Sequence, residues 1–312
     1  MKGMLVKYLT CLFYFSIIMI TTKDIIFIIN PNSGKRKIAG ILKQIETYKE
    51  ELNFFITKSY ADFQLFLDKN ISKYKVIVIV GGDGTINSAV DYLYSFPDKK
   101  MAIIPTGSGN GFARELGFGG NVNILIDDIL RNEVLEIDIL EVNSKKFINV
   151  FGIGFDSHVA HVFDKRKKRG LWNYIISVFI SLFQFKPVEA TITYANKLIK
   201  GKFNMIVIAN TSQFGNNAHI APFAKPNNNS YELALIKPFP FYFYPIFIVR
   251  MFTKKLKNSK YIQYLKLNKD LLISSNTNIC HIDGEPIKLS GEIKARILKN
   301  KVKIIKTERC LI

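Results

Sequence analysis

Along residues 24–130, short unbroken apolar runs alternate with stretches whose apolar positions recur every three or four residues. IIFIIN (Ile25 to Asn30), VIVIV (Val76 to Val80) and MAIIP (Met101 to Pro105) offer no polar face to water, which marks strands buried on both sides. Ile38, Ile41, Leu42, Ile45 and Tyr48 fall at helical spacing and predict a helix over Ile38 to Glu51. Phe54 to Thr57 reads as a further strand, and Ala61 to Asn70 and Thr85 to Ser95 as helices. Apolar strands alternating with helices predict an α/β domain built on a parallel sheet covered on both faces.

Past Leu135 the pattern changes. LEIDILEVN, KFINVFGIGF, ATITYA, FNMIVIAN and YELALIK are strand-like, separated by Gly, Asn and Pro, with few helices between them. An antiparallel β-sandwich is the natural arrangement. The expected division is a leader over 1–22, an α/β domain over 23–133 and a sandwich over 134–312, whose extreme C-terminus is a candidate to return to the first domain. Two stretches interrupt the second half, Asp164 to Phe185 and Pro238 to Leu267, both aromatic and basic.

The leader carries Lys2 and Lys7 before an apolar run from Tyr8 to Ile20, short for a membrane span. No small-residue cleavage site follows, and Met19 stands just before the first strand. An upstream start codon assigned in error, a membrane anchor and an export signal all fit, and the fold is expected to begin near Lys23.

With 312 residues, 48% of them hydrophobic, the chain can build one large core or two ordinary ones. Its three cysteines, Cys11, Cys280 and Cys310, form neither a disulfide framework nor a metal spacing, so a reducing compartment fits. The formal charge of +19 favours polyanionic partners, although Ile, Asn and Lys are abundant throughout.

The chemistry concentrates at strand ends. In GGDGT (Gly81 to Thr85) the glycines let backbone N–H groups approach phosphate oxygens, and the helix that follows aims its positive end at them. Asp83 repels phosphate, so it suits holding Mg2+ through water or taking a proton from a hydroxyl. Taken alone, the same pattern also serves as a tight turn with a helix cap. Two further strand ends match it: INPNSGK (Ile29 to Lys35) and IIPTGSGNGFAREL (Ile103 to Leu116). Neither a Walker phosphate loop nor a dinucleotide fingerprint is present. His158 and His161, spaced i, i+3, and His219 lack a converging third ligand and read as packing residues.

NPNSGK, GGDGTIN, PTGSGNGFAR, GIGFDSHVA (Gly152 to Ala160) and HIDGEP (His281 to Pro286), in this order, resemble the diacylglycerol kinase catalytic family. The likeness is to its bacterial lipid kinase branch, related to sphingosine and ceramide kinases, and runs from about Ile25 onward. It implies a phosphofructokinase- or NAD kinase-like α/β domain followed by a β-sandwich. It also implies transfer of the γ-phosphoryl of ATP, with Mg2+, to a hydroxyl of diacylglycerol or a related long-chain lipid.

By that resemblance, Asn30, Pro31, Asn32, Ser33 and Gly34 contact ATP, as do Gly81, Gly82, Asp83, Gly84, Thr85, Ile86 and Asn87. Thr57 and Thr106 add single contacts. Glu285 matches the proton acceptor, with Asp83 as the rival base and Asp283 as a supporting carboxylate. The family's metal loop, A-P-x-A-x-x-x-D-G-L-L-D, here reads APFAKPNNNSYE (Ala221 to Glu232), so Asn228 stands where the ligating Asp is expected and Asn229 where the Gly is. With the carbonyls of Lys225 and Ser230, the neutral amide of Asn228 predicts a weakened or lost metal site.

DKRKKRG (Asp164 to Gly170) supplies five cations in a row, followed by LWNYIISVFISLFQF with Trp172 and Tyr174 at its polar edge. FPFYFYPIFIVRMFTKKLK (Phe239 to Lys257) combines aromatics with lysines in the same way. Both suit docking on an anionic membrane surface, and equally core packing with solvated basic ends. The expected partners are therefore a lipid substrate and the inner membrane face from the cytoplasmic side. No nucleic acid is expected, and a homodimer is compatible. A soluble NAD kinase-like enzyme shares GGDGT but lacks here that family's later N-D and T-P-T-G-S-T-A-Y signatures. A catalytically silent, membrane-bound nucleotide sensor is the rival of another class.

Overall fold

The computed structural model describes residues 20–166, 171–310 and 312. Most of the expected leader, and Lys167 to Gly170 of the basic run, lie outside the described residues.

Strands β1 (Ile25–Ile29), β2 (Asn53–Ile56), β3 (Val76–Gly81) and β4 (Lys100–Pro105) form a parallel set in the order β2-β1-β3-β4. β1 and β3 are buried at every position, as their unbroken apolar runs require. The connecting helices are α1 (Lys35–Glu46), α2 (Tyr60–Asn70), α3 (Asp83–Leu93), the short α4 (Gly111–Glu115) and α5 (Val122–Arg131). Two of them start on a side-chain cap: Ser59 accepts from Asp62 N at 3.1 Å and Asn121 from Ile124 N at 3.1 Å. α1 stops short of the expected Glu51, because the Thr47 hydroxyl turns back onto the Lys43 carbonyl at 2.8 Å and no apolar position follows Tyr48 until Leu52. α3 begins two residues earlier than expected, which brings Asp83 into its first turn.

The antiparallel half comprises β5 (Val134–Val142), β6 (Lys145–Phe147), β7 (Val150–Gly154), α6 (Phe155–Asp164), α7 (Leu171–Gln184), β8 (Val188–Tyr194), β9 (Lys197–Phe203), β10 (Met205–Ala209) and β11 (Tyr231–Ile236). There follow α8 (Phe243–Phe252), β12 (Ile262–Leu267), β13 (Leu271–Ser275), β14 (Ile279–Ile282), β15 (Glu285–Lys288) and β16 (Ile293–Ile305). One sheet runs β12-β11-β10-β7-β14-β15. The other is continuous with the parallel set, because β16 pairs in parallel with β4 through Lys303 and Ile304 and antiparallel with β5 and β13. The expected division at 133/134 thus falls within one continuous sheet, and β16 brings a strand from beyond it back into parallel pairing with β4.

Three apolar cores result. One fills the α/β layers; one lies between the facing sheets around Phe147, Phe151, Ile206, Leu233 and Ile273; the third sits under α8, where Phe243 and Phe247 cover Val207 and Ala234. Parallel pairing puts the carboxyl ends of β1, β3 and β4 at one edge, and β14 to β15 turns toward that edge from the other sheet.

Candidate active site

Three loops leave that edge and touch. Asn30 Nδ2 donates to Thr85 Oγ1 at 2.8 Å, and its Oδ1 accepts from Asn32 N at 3.0 Å. Thr106 Oγ1 donates to Ser33 Oγ at 2.9 Å, joining the β4 loop to the β1 loop. Gly34, with φ 74°, lies against the Thr106 carbonyl, and a Cβ on Gly107 would come 2.8 Å from the Gly82 Cα. Side chains at these positions would push the loops apart, which is what the glycine spacing avoids. Ile86 N makes a turn bond to Gly82 O at 3.0 Å, so the N–H groups of Asp83, Gly84 and Thr85 are the ones α3 leaves open for an anion.

Two expected contact residues are spent elsewhere. Ile86 is fully buried and its amide is used within the first turn, so it packs the helix and does not face the cleft. Thr57 is buried, with both its N–H and its hydroxyl donating to the Ile29 carbonyl at 2.9 and 3.2 Å; it fastens β2 to β1. Asn87 Nδ2 reaches the Lys146 carbonyl at 3.4 Å, and Pro31 shapes the turn. Lys37, which the motif reading passed over, points its ammonium 3.4 Å from the Gly107 carbonyl and brings a cation to the same rim.

The carboxylates come from both ends of the chain. Asp83 Oδ2 accepts from Asn110 N at 2.7 Å, while its buried Oδ1 has no hydrogen-bond partner. Asp283 sits in the β14–β15 turn at φ 50°, with Oδ1 accepting from Val150 N at 2.7 Å and its own N–H donating to Val150 O at 2.8 Å; its buried Oδ2 is unpartnered. Glu285 lies directly against Gly84, where a Cβ would overlap Oε1. GGDGT and HIDGEP therefore meet, with Glu285 exposed to the cleft and Asp83 and Asp283 behind it.

Burial pushes the Asp83 carboxyl above its ordinary range, and the Glu285 charge adds to the effect. Asp283 is pushed up to about 7, chiefly by burial and further by the Asp83 charge, against the lowering hydrogen bond from Val150 N. The unpartnered oxygens of Asp83 and Asp283 suit a cation brought in on phosphates. No group of three His, Cys, Asp or Glu among the described residues could hold a metal by itself. The two observations agree for Mg2+, which keeps waters and phosphate oxygens and needs only one or two carboxylates.

The other expected metal loop does not fit a cation as folded. Asn228 Oδ1 is turned inward and accepts from both Ser230 N, at 3.1 Å, and the Ser230 hydroxyl. Asn229, at φ 53°, takes the left-handed conformation its expected glycine would favour. The charged oxygen beside the loop belongs to Asp138, fully buried on β5. Its Oδ2 accepts from Asn229 N at 2.7 Å, and its Oδ1 lies 3.1 Å from the Lys301 ammonium of β16 in a contact that is ionic without hydrogen-bond geometry. A protein cation already faces the carboxylate. As folded, the Asn228 amide oxygen therefore serves the turn to Ser230 and is not turned to a cation.

The histidines are packing residues: His158 Nδ1 is 3.0 Å from Ser181 Oγ, His161 Nε2 is 3.2 Å from the carbonyls of Cys280 and Ile287, and His219 Nδ1 is 2.8 Å from Ser212 Oγ. The motif reading missed two pairs, Asp138 with Lys301 and His281 with Asp156. The second was visible only as the flanks of GIGFD and HIDGE.

Residues 24–142 match the family model of the diacylglycerol kinase catalytic domain, and residues 149–293 that of the YegS C-terminal NAD kinase beta sandwich-like domain. A protein of Bacillus subtilis (strain 168) named diacylglycerol kinase is 27% identical over 271 residues, covering 83% of this chain and 88% of its own. One of the same name from Staphylococcus haemolyticus (strain JCSC1435) is 28% identical over 218 residues, 67% of this chain, and the match spans 66% of that relative, just under two thirds. A crystal structure of a diacylglycerol kinase from Bacillus anthracis str. Sterne shares the fold, with a TM-score of 0.71, 19% identity and coverage of 93% and 98% of the two chains. A second structure from that organism gives 0.74, 21%, 93% and 97%.

Asp283 yields a pH-dependent outcome. With its folded-state pKa raised to about 7, its stabilising contribution is whole below the ordinary carboxylate range and is lost as pH rises through about 7. Asp283→Asn keeps an oxygen for Val150 N and removes the buried charge. At pH 8 it is expected to be more stable than the wild type by on the order of 3 kcal/mol, with the difference vanishing near pH 4, as measured by denaturant unfolding. For the Asp138 site, wild-type melting is expected to be the same in EDTA and in Mg2+. Lys301→Met, which strands a buried carboxylate, should cost about 3 kcal/mol or more. A wild-type melting temperature that falls in EDTA as far as the Lys301→Met variant falls without it would sink the assignment.

Proposed function

The chain belongs to the diacylglycerol kinase catalytic domain family, and on that premise we propose that it transfers the γ-phosphoryl of ATP to the hydroxyl of a diacylglycerol-like lipid at an anionic membrane surface. The observation that carries this reading is the contact of Glu285 with Gly84, which sets an exposed carboxylate at the phosphate end of α3. ATP phosphates would be held by the open N–H groups of Asp83 to Thr85 and by the loops at Asn30 to Gly34 and Thr106 to Gly107, with Lys37 at the rim.

Glu285 takes the proton of the lipid hydroxyl as its oxygen forms the new bond to the γ-phosphorus. The bond from that phosphorus to the bridging oxygen breaks, and ADP carries the electron pair away. Bound Mg2+ would supply charge neutralisation on the transferring phosphates, with Asp83 and, through it, Asp283 offering the free carboxylate oxygens. Glu285 is favoured over Asp83 as base because Asp83 Oδ2 is committed to Asn110 N and its carboxyl is buried.

The lipid side rests on a second surface. α7 exposes Phe179 and Phe183, the turn before α8 Phe241 and Tyr242, and α8 itself Val249, with Phe183 79% and Tyr242 72% exposed, and the Phe183 and Phe241 rings lie 6.1 Å apart. Exposed Lys254, Lys255 and Lys257 border it. A contiguous aromatic patch beside lysines matches an anionic bilayer, each cation contributing about 1 kcal/mol. No helix among the described residues is long and apolar enough to cross a membrane. The side chains of Trp172 and Tyr174 lie outside the described residues.

The deciding assay incubates the protein with γ-labelled ATP, Mg2+ and mixed micelles containing diacylglycerol, and measures organic-soluble label. Glu285→Ala is expected to lower kcat by a factor on the order of 10³ while nucleotide binding is kept. Nucleotide binding without transfer to any lipid would favour the silent sensor, and label on NAD the soluble kinase. For the membrane patch, Phe183→Ser with Phe241→Ser is expected to cut sedimentation with phosphatidylglycerol vesicles at least fivefold, leaving ATP binding unchanged. Equal sedimentation of variant and wild type would refute that face.

A further inference from the structure

Glu285 begins β15 directly after a turn in which both Asp283 (φ 50°) and Gly284 (φ 84°) are left-handed. An L residue holds such a φ only where its surroundings fix it. Two anchors are in place. Asp283 is tied to Val150 through both its backbone and its side chain, as described above. The second is His281, whose Nδ1 faces the Gly284 N–H at 3.3 Å and whose Nε2 lies 2.9 Å from Asp156 Oδ2 on α6. Both side chains are nearly sealed, His281 at 3% and Asp156 at 7% exposure.

The chemistry of this chain of bonds has one solution. A backbone N–H can only donate, so His281 Nδ1 accepts and its proton resides on Nε2, which donates to the carboxylate. Asp156 Oδ1 is occupied by Ser157 N at 2.9 Å, leaving Oδ2 for the ring. The space is reserved for the pair as well, since a Cβ on Gly152 of the adjacent β7 would overlap both Asp156 Oδ2 and His281 Nε2. Phe214 closes the remaining side with its ring centroid 5.9 Å from the imidazole.

We propose that His281 and Asp156 are positioning residues: Asp156 sets the imidazole tautomer, the imidazole holds the Gly284 N–H, and the turn so fixed aims the Glu285 carboxylate at Gly84. This rests on the phosphoryl-transfer reading of the site. Neither residue touches the reacting atoms, and both act through the turn.

Asp156→Asn tests it with little change of shape. The amide oxygen keeps Ser157 N, and the amide NH2 then faces Nε2 as a donor. The ring proton must move to Nδ1, and Gly284 N–H loses its acceptor. Expected for this variant are a kcat at least tenfold below wild type in the micelle assay, a KM for ATP within twofold, and a change from the Nε2–H to the Nδ1–H tautomer in a long-range ¹H–¹⁵N spectrum of the ligand-free protein. His281→Asn, whose amide oxygen takes the place of Nδ1, is expected to keep at least a third of kcat, whereas His281→Gln, which reaches only toward Asp156, is expected to lose tenfold. Wild-type kcat in Asp156→Asn, or a lowered kcat with the Nε2–H tautomer retained, would overturn the proposal. The ring spectrum needs no turnover: if the wild type transfers nothing to lipid, the kinase reading fails while the tautomer assignment is still decided by the same measurement.

Discussion

The whole site depends on a steric vacancy at Gly84. The carboxylate of Glu285 occupies the volume a Cβ would take, and only because α3 has no side chain there can the second half of the chain close onto the phosphate end of the first. The same logic repeats wherever the two halves or the three loops meet: Gly34 under Thr106, Gly107 against Gly82, Gly111 beneath the Phe214 carbonyl. Glycine is selected at these places by close approach, and flexibility is incidental.

Closure concentrates negative charge. Asp83, Asp283 and Glu285 share one corner, and the two inner carboxyls are held above their normal ionisation range chiefly by burial, with the Glu285 charge adding to the effect on Asp83 and the Asp83 charge to that on Asp283. Such an arrangement is unfavourable for folding, and the cation and polyphosphate of the proposed reaction would offset it. In the middle of β5, Asp138 shows the opposite solution, a buried carboxylate answered by an internal lysine. The two acidic sites illustrate how one chain separates a charge left open for chemistry from a charge neutralised for structure.

Much of this was legible in the order of residues because the strongest signals are local. Unbroken apolar runs marked β1, β3 and β4, and glycines at their ends marked the loops, so the parallel half and its anion edge could be read directly. Sites that depend on pairing across long separation could not. In LEIDILEVN, Asp138 looks like a water-facing position of an alternating strand, and nothing local says that Lys301 will lie opposite it. KARILKNKVKII likewise reads as one more basic strand; its return to the first domain was a candidate, but no local mark names β4, β5 and β13 as its partners. Ile86 entered the contact set with its neighbours in GGDGTIN and Thr57 as a single contact implied by the resemblance; in the fold an apolar side chain in a first turn packs inward and a threonine beside a strand end bonds to that strand.

β16 also orders events in time. During synthesis, residues 24–131 emerge and can collapse long before Ile293–Ile305 exist, and until that strand arrives the outer edge of β4 has no partner. An unpaired, largely apolar strand invites association with other chains. The α/β half therefore keeps an open β4 edge until residues 293–305 reach it, and a chain ending before residue 293 would present that edge to other strands.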